Sequence, residues 1–263
     1  MDIPNYKNTK LPWFDQNPAT YLTDYIFSIS QLIMVFYLRK QLNNISSKNN
    51  PHYFQQKTVL WFVAVYNLCL GIGFGFGGLY HHIFDMTKGP VFSNEIYWKI
   101  SMFAGILATP FAMMVPVLQV VFLEKEKLKI MKNAVMVVAL LYALEEAFIE
   151  GVGFSISILI AIIWMCLLAA GIKIGMMFFE VKAVGSVKPI YLWMGAGSLI
   201  GYLLYYNGIK KGCDQWNAYP ENCPFPAWFN HNAILHVLFV PAYWLMTVTW
   251  LPGTNYELVQ LKY

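Results

Sequence analysis

TVLWFVAVYNLCLGIGFGFGGLYH, residues Thr58–His81, is the stretch that decides the class of fold. It has no Asp, Glu, Lys or Arg, and it exceeds the roughly 20 apolar residues that a helix needs to cross a bilayer. A helix suits that setting because its backbone polar groups bond internally where water is absent. The whole chain of 263 residues is similar, with 58% hydrophobic and 12% charged residues. Soluble domains carry about 25% charged residues. The sequence therefore predicts an integral membrane protein.

Six further apolar blocks accompany this stretch and predict an all-α protein, a bundle of seven transmembrane helices. They run over Tyr21–Tyr37, Ile96–Leu123, Asn133–Phe148, Ser155–Phe179, Ile190–Tyr206 and Trp228–Trp250. We expect one transmembrane domain at residues 21–251, preceded by an N-terminal tail at 1–20 and followed by a C-terminal tail at 252–263. Prolines inside the third and seventh blocks are expected to kink those helices rather than end them.

The basic residues predict the orientation of the bundle. Of the 18 basic residues, 17 are lysines, and Arg39 is the one arginine. With seven spans, eleven basic residues fall on the side of the C-terminus and five on the side of the N-terminus. Because basic residues accumulate on the inner side of a membrane, we expect the N-terminus outside and the C-terminus inside. Lysines distributed between apolar blocks are not typical of a nucleic-acid-binding surface, so no nucleic-acid partner is expected.

Polar residues at the outer ends of several spans form the candidate site. Ionisable groups near a membrane interior are costly and usually face one another or a cavity. We therefore expect a polar cluster at the outer mouth of the bundle. His81 and His82 are adjacent and point about 100° apart, so only one can face the bundle centre, and the sequence does not choose between them. The candidate members are Asp24, His81, His82, Lys99, Glu145, His231, Asn232 and His236.

Two chemical interpretations of this cluster remain open. An inward histidine from the second span, His236 and a carboxylate such as Asp24 could form a three-ligand metal site with an open position. Alternatively, the cluster is a hydrogen-bonded network in which Lys99 neutralises Asp24 or Glu145. We favour the network, because the Lys99 ammonium would place a positive charge beside the metal.

Two short motifs resemble the CREST superfamily of seven-span membrane hydrolases, which includes alkaline ceramidases and progestin/adipoQ receptors. They are Gly77-Gly78-Leu79-Tyr80-His81 and Asn232-Ala233-Ile234-Leu235-His236-Val237-Leu238. The resemblance implies a zinc-dependent site holding one histidine of span two and a His-x-x-x-His pair of span seven. His81 and His236 match that pattern. Gly77 stands where the family has serine, Asn232 where it has the first histidine of the pair, and the family's acidic residue has no counterpart in span three. The resemblance therefore implies the seven-helix fold with a degenerate metal site, and zinc as a minor alternative.

Glycine and cysteine spacings add two structural expectations. The pairs Gly71/Gly75, Gly73/Gly77 and, in the sixth span, Gly197/Gly201 are small-xxx-small patterns, which favour close helix packing over a dinucleotide site. Cys213 and Cys223 flank nine residues of an outer connection, and we expect a disulfide between them, because it would close a short loop and is chemically allowed in an oxidising compartment.

The incomplete ligand set and the lack of an intact catalytic motif predict a non-catalytic integral membrane subunit of a larger complex. We expect structural lipids, other subunits as partners and no catalytic cofactor. A mitochondrial inner membrane is favoured, with a respiratory-chain accessory subunit as the natural case and a secretory-pathway membrane as the alternative. The competing function is a metal-dependent lipid amide or ester hydrolase of CREST type. A transporter or channel is weaker, because the ionisable groups gather at one face and leave no midplane relay.

Overall fold

A computed structural model describes residues 18–45, 52–87, 92–145, 147, 154–178, 190–201 and 231–251. Within these ranges the regular structure is helical and comprises seven helices. In chain order they are α1 (Pro18–Asn44), α2 (Tyr53–Thr87), α3 (Phe92–Val120), α4 (Lys125–Glu145), α5 (Phe154–Phe178), α6 (Ile190–Gly201) and α7 (His231–Thr249). The expected all-α class is confirmed for the described residues.

In the part of the chain that the structure describes, four stretches of helix are long and apolar enough to cross a membrane, as expected of an integral membrane protein. They are Pro18–Asn44, Tyr53–Ile83, Ile96–Val120 and Ile160–Phe178. Ile190–Gly201 and Ala233–Thr249 are apolar but shorter, and α4 begins with a charged turn. The described helices therefore confirm a membrane-type helical protein, while the count of seven spans and the orientation stay predictions.

The glycines of α2 bring it close to both of its main neighbours, α1 and α3. A Cβ built at Gly71 would lie 3.3 Å from the Ser28 carbonyl oxygen of α1. A Cβ at Gly73, on another side of the helix, would lie 3.2 Å from the Ser101 carbonyl oxygen of α3. The Ser28 hydroxyl also donates to the Gly71 carbonyl at 2.6 Å. The expected small-residue packing is confirmed for α2, because a larger side chain would push the helices apart. It is not found for Gly197 and Gly201 of α6, where an added Cβ would meet no described atom within 4 Å.

Helix α3 continues through both of its prolines. Pro110 has no N–H to donate to the Ile106 carbonyl one turn earlier. The Thr109 hydroxyl takes over this role and donates to that carbonyl at 2.9 Å. A local side chain thus satisfies the backbone group that the proline leaves, which is how membrane helices tolerate such residues.

The core between α1, α2 and α7 is largely aromatic. The Phe27 ring contacts the rings of Phe74, Phe239 and Tyr243 at centroid distances of 4.3 to 5.7 Å. A polar contact joins α2 to α7 deeper in the bundle, where the Thr247 hydroxyl donates to the Asn67 side chain at 3.1 Å. Both polar residues are buried. This packing fixes α1, α2 and α7 relative to one another and so positions the side chains at their outer ends.

At the opposite end of the bundle, Gln55 of α2 closes the end of α3. Its side-chain amide donates to the carbonyls of Leu118 and Val121 at 2.8 and 2.6 Å, and its carbonyl accepts from the Leu123 N–H at 3.3 Å. These contacts satisfy groups that a helix end leaves without helical partners. They also explain why α3 ends at Val120, three residues before the predicted end of the third span.

Candidate functional site

The candidate site is built on Asp24, which is only 2% exposed although it carries a carboxyl group. Asp24 lies in the second turn of α1, His81 near the end of α2 and His236 in the second turn of α7. Antiparallel packing of α1 and α2, with α7 beside α1, brings these positions to the same end of the bundle. We call these three residues the Asp24 cluster. Both imidazoles are 7% exposed, so the cluster is removed from water.

The shortest polar contact of the cluster joins Asp24 to His236. The Asp24 Oδ1 and His236 Nδ1 atoms lie 2.9 Å apart, at hydrogen-bond distance. An ionised carboxylate only accepts hydrogen bonds, so His236 Nδ1 carries the proton and donates. The Thr23 hydroxyl lies 3.5 Å from the same nitrogen, while it donates to the Ala19 and Thr20 carbonyls at 2.8 Å. Asp24 therefore fixes the ring orientation and tautomer of His236.

The other carboxylate oxygen faces His81. Its Oδ2 atom lies 4.0 Å from His81 Nε2, which is within ion-pair range but beyond a hydrogen bond. His82, in contrast, is half-buried against α1, where its ring stacks on Tyr21 at 4.5 Å. The Tyr25 hydroxyl lies 3.3 Å from His82 Nδ1. The structure thus resolves the alternative that the sequence left open: His81 joins the cluster, and His82 packs on two tyrosines.

Aromatic rings separate the Asp24 cluster from the interior of the bundle. The Phe74 ring meets His236 edge-on at 5.8 Å, and the Phe239 ring stacks on it at the same centroid distance. On the α3 side, the Trp98 ring lies 6.3 Å from the His81 ring. Apolar walls of this kind lower the local dielectric and strengthen the carboxylate–imidazole contact.

Lys99 and Glu145 do not take the places that the sequence suggested. The described ion pairs of Asp24 are with His81 and His236, not with Lys99. Glu145 is exposed at the end of α4. The expected neutralisation of Asp24 or Glu145 by Lys99 is therefore wrong for the described contacts. The reason is tertiary: α1 packs between α2 and α7, and their imidazoles reach the carboxylate.

Several other predicted site residues lie outside what the structure describes. His231 and Asn232 belong to the first turn of α7, but only their helical backbone is described. Cys213 and Cys223 lie outside the described residues altogether, so their disulfide stays a prediction. Cys69 and Cys166, which lie within helices, are buried free thiols.

The Asp24 cluster does not fit a metal ion as it stands. Among the described residues, no three His, Cys, Asp or Glu side chains form a group that could hold one. Ligands at about 2.0–2.1 Å on one tetrahedral zinc lie about 3.3 Å apart. The Asp24–His236 contact of 2.9 Å is shorter than this and lies at hydrogen-bond distance. The carboxylate and the imidazole therefore bind each other directly.

Three contact residues of the site were missed by the sequence reasoning: Thr23, Tyr21 and Tyr25. Tyr21 and Tyr25 are four residues apart, so they share a face of α1, which periodicity could have shown. Their partner His82 could not have been assigned, because the rotation of α2 relative to α1 depends on how closely the two helices pack. A Cβ at Gly78 would come within 2.8 Å of the Tyr25 ring, which shows how tight that packing is.

The fold and the site define a helical membrane-type protein with a buried Asp–His cluster at one end. The chain belongs to a family described as a family of unknown function (DUF6962), whose model matches residues 19–200. The matched region includes Asp24 and His81, while His236 lies beyond it. No curated protein and no solved structure matches the chain.

Proposed function

We propose that this protein is a non-catalytic integral membrane subunit of a larger membrane complex, in which the Asp24 cluster holds α1, α2 and α7 together. The observation that carries this proposal is the direct Asp24–His236 hydrogen bond at 2.9 Å in a water-excluded site. A carboxylate engaged in this way restrains two helices, because the short contact joins a residue of α1 to a residue of α7.

The outer surfaces of the helices support a role among lipids and other subunits. Large apolar side chains are exposed along most helices, for example Phe36 of α1, Leu141 of α4, Leu167 of α5 and Met194 of α6. Such surfaces are stable in contact with lipid chains or with neighbouring transmembrane helices.

The host we propose is a complex of the mitochondrial inner membrane, such as a respiratory-chain complex in which this chain is an accessory subunit. The support is the lysine-rich side of the chain, which would face the matrix by the positive-inside bias. An oxidising intermembrane space would then permit the Cys213–Cys223 disulfide. A membrane of the secretory pathway remains the alternative host, because its lumen is also oxidising.

Native size and the Asp24→Asn variant test this proposal together. Solubilisation in a mild detergent should give an assembly much larger than a single 30.2 kDa chain, enriched in the inner-membrane fraction. Asparagine keeps an oxygen that accepts from His236, so Asp24→Asn should still assemble, whereas Asp24→Ala should assemble poorly. Glu145→Gln, at an exposed carboxylate, is the matched control. A monodisperse monomer that hydrolyses lipids would refute the proposal.

A lipid amide or ester hydrolase is the second candidate function. The observation that favours it is the convergence of Asp24, His81 and His236 at one membrane face, where the resembled hydrolases carry their site. Zinc analysis of the purified protein and incubation with ceramides and lipid esters would test it. Stoichiometric zinc, together with turnover that Asp24→Asn abolishes, would establish this candidate. Protein free of zinc and of turnover would eliminate it.

A further inference from the structure

The end of the bundle opposite the Asp24 cluster is strongly basic. The described residues at the ends of α1, α2 and α4 include seven basic and two acidic side chains, a net charge of +5. The basic ones are Arg39, Lys40, Lys57, Lys125, Lys127, Lys129 and Lys132, and the acidic ones are Glu124 and Glu126. Glu124 is paired with Lys127 at 3.5 Å in an exposed contact. The surplus of positive charge therefore lies with the remaining lysines and Arg39.

Three of these lysines are held over aromatic rings of α2. The Lys57, Lys125 and Lys132 ammonium nitrogens lie 4.5, 4.9 and 4.0 Å from the ring centroids of Tyr53, Phe54 and Trp61. We call Lys57, Lys125 and Lys132 the ring-seated lysines. A cation over an aromatic face is attracted by the ring and loses part of its freedom of movement. The Lys125 and Lys132 ammonium groups of α4 are thus pre-ordered over α2 rings at the seam between the two helices, and the Lys57 ammonium is pre-ordered over a ring of its own helix.

The spacing along both helices makes this seam a continuous strip. Lys125 and Lys132 are seven residues apart on α4, which places them two turns apart on the same face. Phe54 and Trp61, the rings under these two lysines, are seven residues apart on α2 and share a face in the same way. Burial lowers the pKa of the Lys132 ammonium from its ordinary value. A bound anion would offset this desolvation by favouring the charged form.

We propose that the ring-seated lysines bind the headgroup of an anionic phospholipid at the membrane surface. Charge complementarity selects an anion, since polybasic segments beside a membrane attract anionic lipids. The neighbouring surface selects a molecule with an apolar tail. Phe54, Leu68 and Ile72 of α2 are 46%, 38% and 40% exposed. Phe54, Trp61 and Leu68 recur every seven residues, so this apolar surface continues along the α2 face that carries the rings. A headgroup at the seam would therefore have its acyl chains alongside α2.

This inference requires only that the helices lie in a membrane and is independent of the proposed subunit function. It assigns a lipid class and a location, the α2–α4 seam. The two helix N-termini at Tyr53 and Lys125 add partial positive charge at the same end. The basic end is also the side that the positive-inside bias directs toward the inner leaflet.

The experiment is lipid competition on the full chain in nanodiscs made with phosphatidylcholine and 20 mol% phosphatidylglycerol (about one lipid in five), followed by native mass spectrometry of retained lipids. Wild type should retain phosphatidylglycerol over phosphatidylcholine. Each lysine to glutamine change at the ring-seated positions should lower that preference about fivefold, corresponding to about 1 kcal/mol. The triple variant should show no preference.

Matched variants separate the seam from general charge and from misfolding. Lys127→Gln, at an exposed lysine paired with Glu124, should change the preference less than twofold, and Lys99→Gln at the other end should not change it. Replacement of the ring-seated lysines by arginine should keep the preference for phosphatidylglycerol, because arginine keeps the positive charge. Glycerol phosphate, the soluble headgroup, should compete poorly.

Three outcomes would overturn the inference. The first is a preference that survives in a folded triple glutamine variant, and the second is an effect of Lys127→Gln as large as that of Lys125→Gln. The third is glycerol phosphate that binds as tightly as the lipid, which would assign the seam to a soluble anion instead.

Discussion

The Asp24–His236 hydrogen bond predicts a specific pattern of energetic coupling within the Asp24 cluster. Replacement of Asp24 by alanine removes the acceptor at 2.9 Å and leaves the His236 Nδ1–H buried. A buried donor that loses its acceptor costs about 1–3 kcal/mol. We expect Asp24→Ala to lower the free energy of unfolding by about 2 kcal/mol. At this chain length, that should lower the Tm by about 4–8 °C.

A double-mutant cycle isolates the two imidazole contacts from other effects of the substitution. Side-chain hydrogen bonds between membrane helices couple by about 0.6 kcal/mol on average and by at most about 1.7 kcal/mol. The Asp24–His236 pair is short and buried, so we expect coupling near the upper value, about 1.5 kcal/mol. The Asp24–His81 pair is 4.0 Å apart and lacks a hydrogen bond, so its coupling should stay below about 0.5 kcal/mol.

The assay is unfolding in mild detergent, monitored by the near-ultraviolet circular dichroism of the aromatic core. The variants are Asp24→Ala, His236→Ala, His81→Ala and the two double variants that combine Asp24→Ala with each histidine change. The cycle with His82→Ala is the control, because the described contacts of His82 are with the α1 tyrosines. Equal coupling of Asp24 to both imidazoles, or coupling to His236 below about 0.5 kcal/mol, would refute the assigned geometry.

Three further predictions concern the packing of α2 with its neighbours. Gly78→Leu should destabilise the fold by about 1–3 kcal/mol in thermal unfolding, because a Cβ there already meets an α1 tyrosine ring at 2.8 Å. Gly171→Ala, whose added Cβ would meet no atom of the described residues within 4 Å, should be neutral or stabilising, and equal losses at both sites would contradict this packing. Gln55→Ala should lower the free energy of unfolding by about 1–3 kcal/mol and speed hydrogen exchange at the end of α3, because backbone carbonyls there lose their hydrogen-bond donor. Unchanged hydrogen exchange at the end of α3 would contradict the capping role of Gln55. A double-mutant cycle of Asn67→Leu and Thr247→Val should give about 0.6 kcal/mol of coupling, and additive effects would show that the 3.1 Å contact contributes nothing.

Much of the fold follows from local sequence patterns. Apolar length fixes which segments become helices, and the spacing of Gly71, Gly73, Gly75 and Gly77 fixes two packing faces of α2 without knowledge of the partners. The ends of helices are less accessible to such patterns. Gln55 closes α3 from 63 residues away in the chain, which no local pattern reveals.

The candidate site is likewise predictable from the sequence only in part. The sequence marks Asp24, His81 and His236 as costly polar groups at one membrane face, because burial of an ionisable side chain requires a partner. The sequence does not predict which of these polar groups contact one another. Lys99 was the expected counter-charge by formal charge, whereas the described ion pairs of Asp24 are with two imidazoles.

The sequence by itself determined a helical membrane protein, its small-residue packing faces and the residues that must find polar partners, because hydrophobicity and helical period are local properties. Only the tertiary structure decided that His81 rather than His82 meets Asp24, that His236 takes the hydrogen bond, and that α4 lysines lie over α2 rings. These outcomes depend on the rotation and separation of packed helices. Adjacent side chains on one helix differ by about 100°, and a rotation of that size decides which of them reaches its partner.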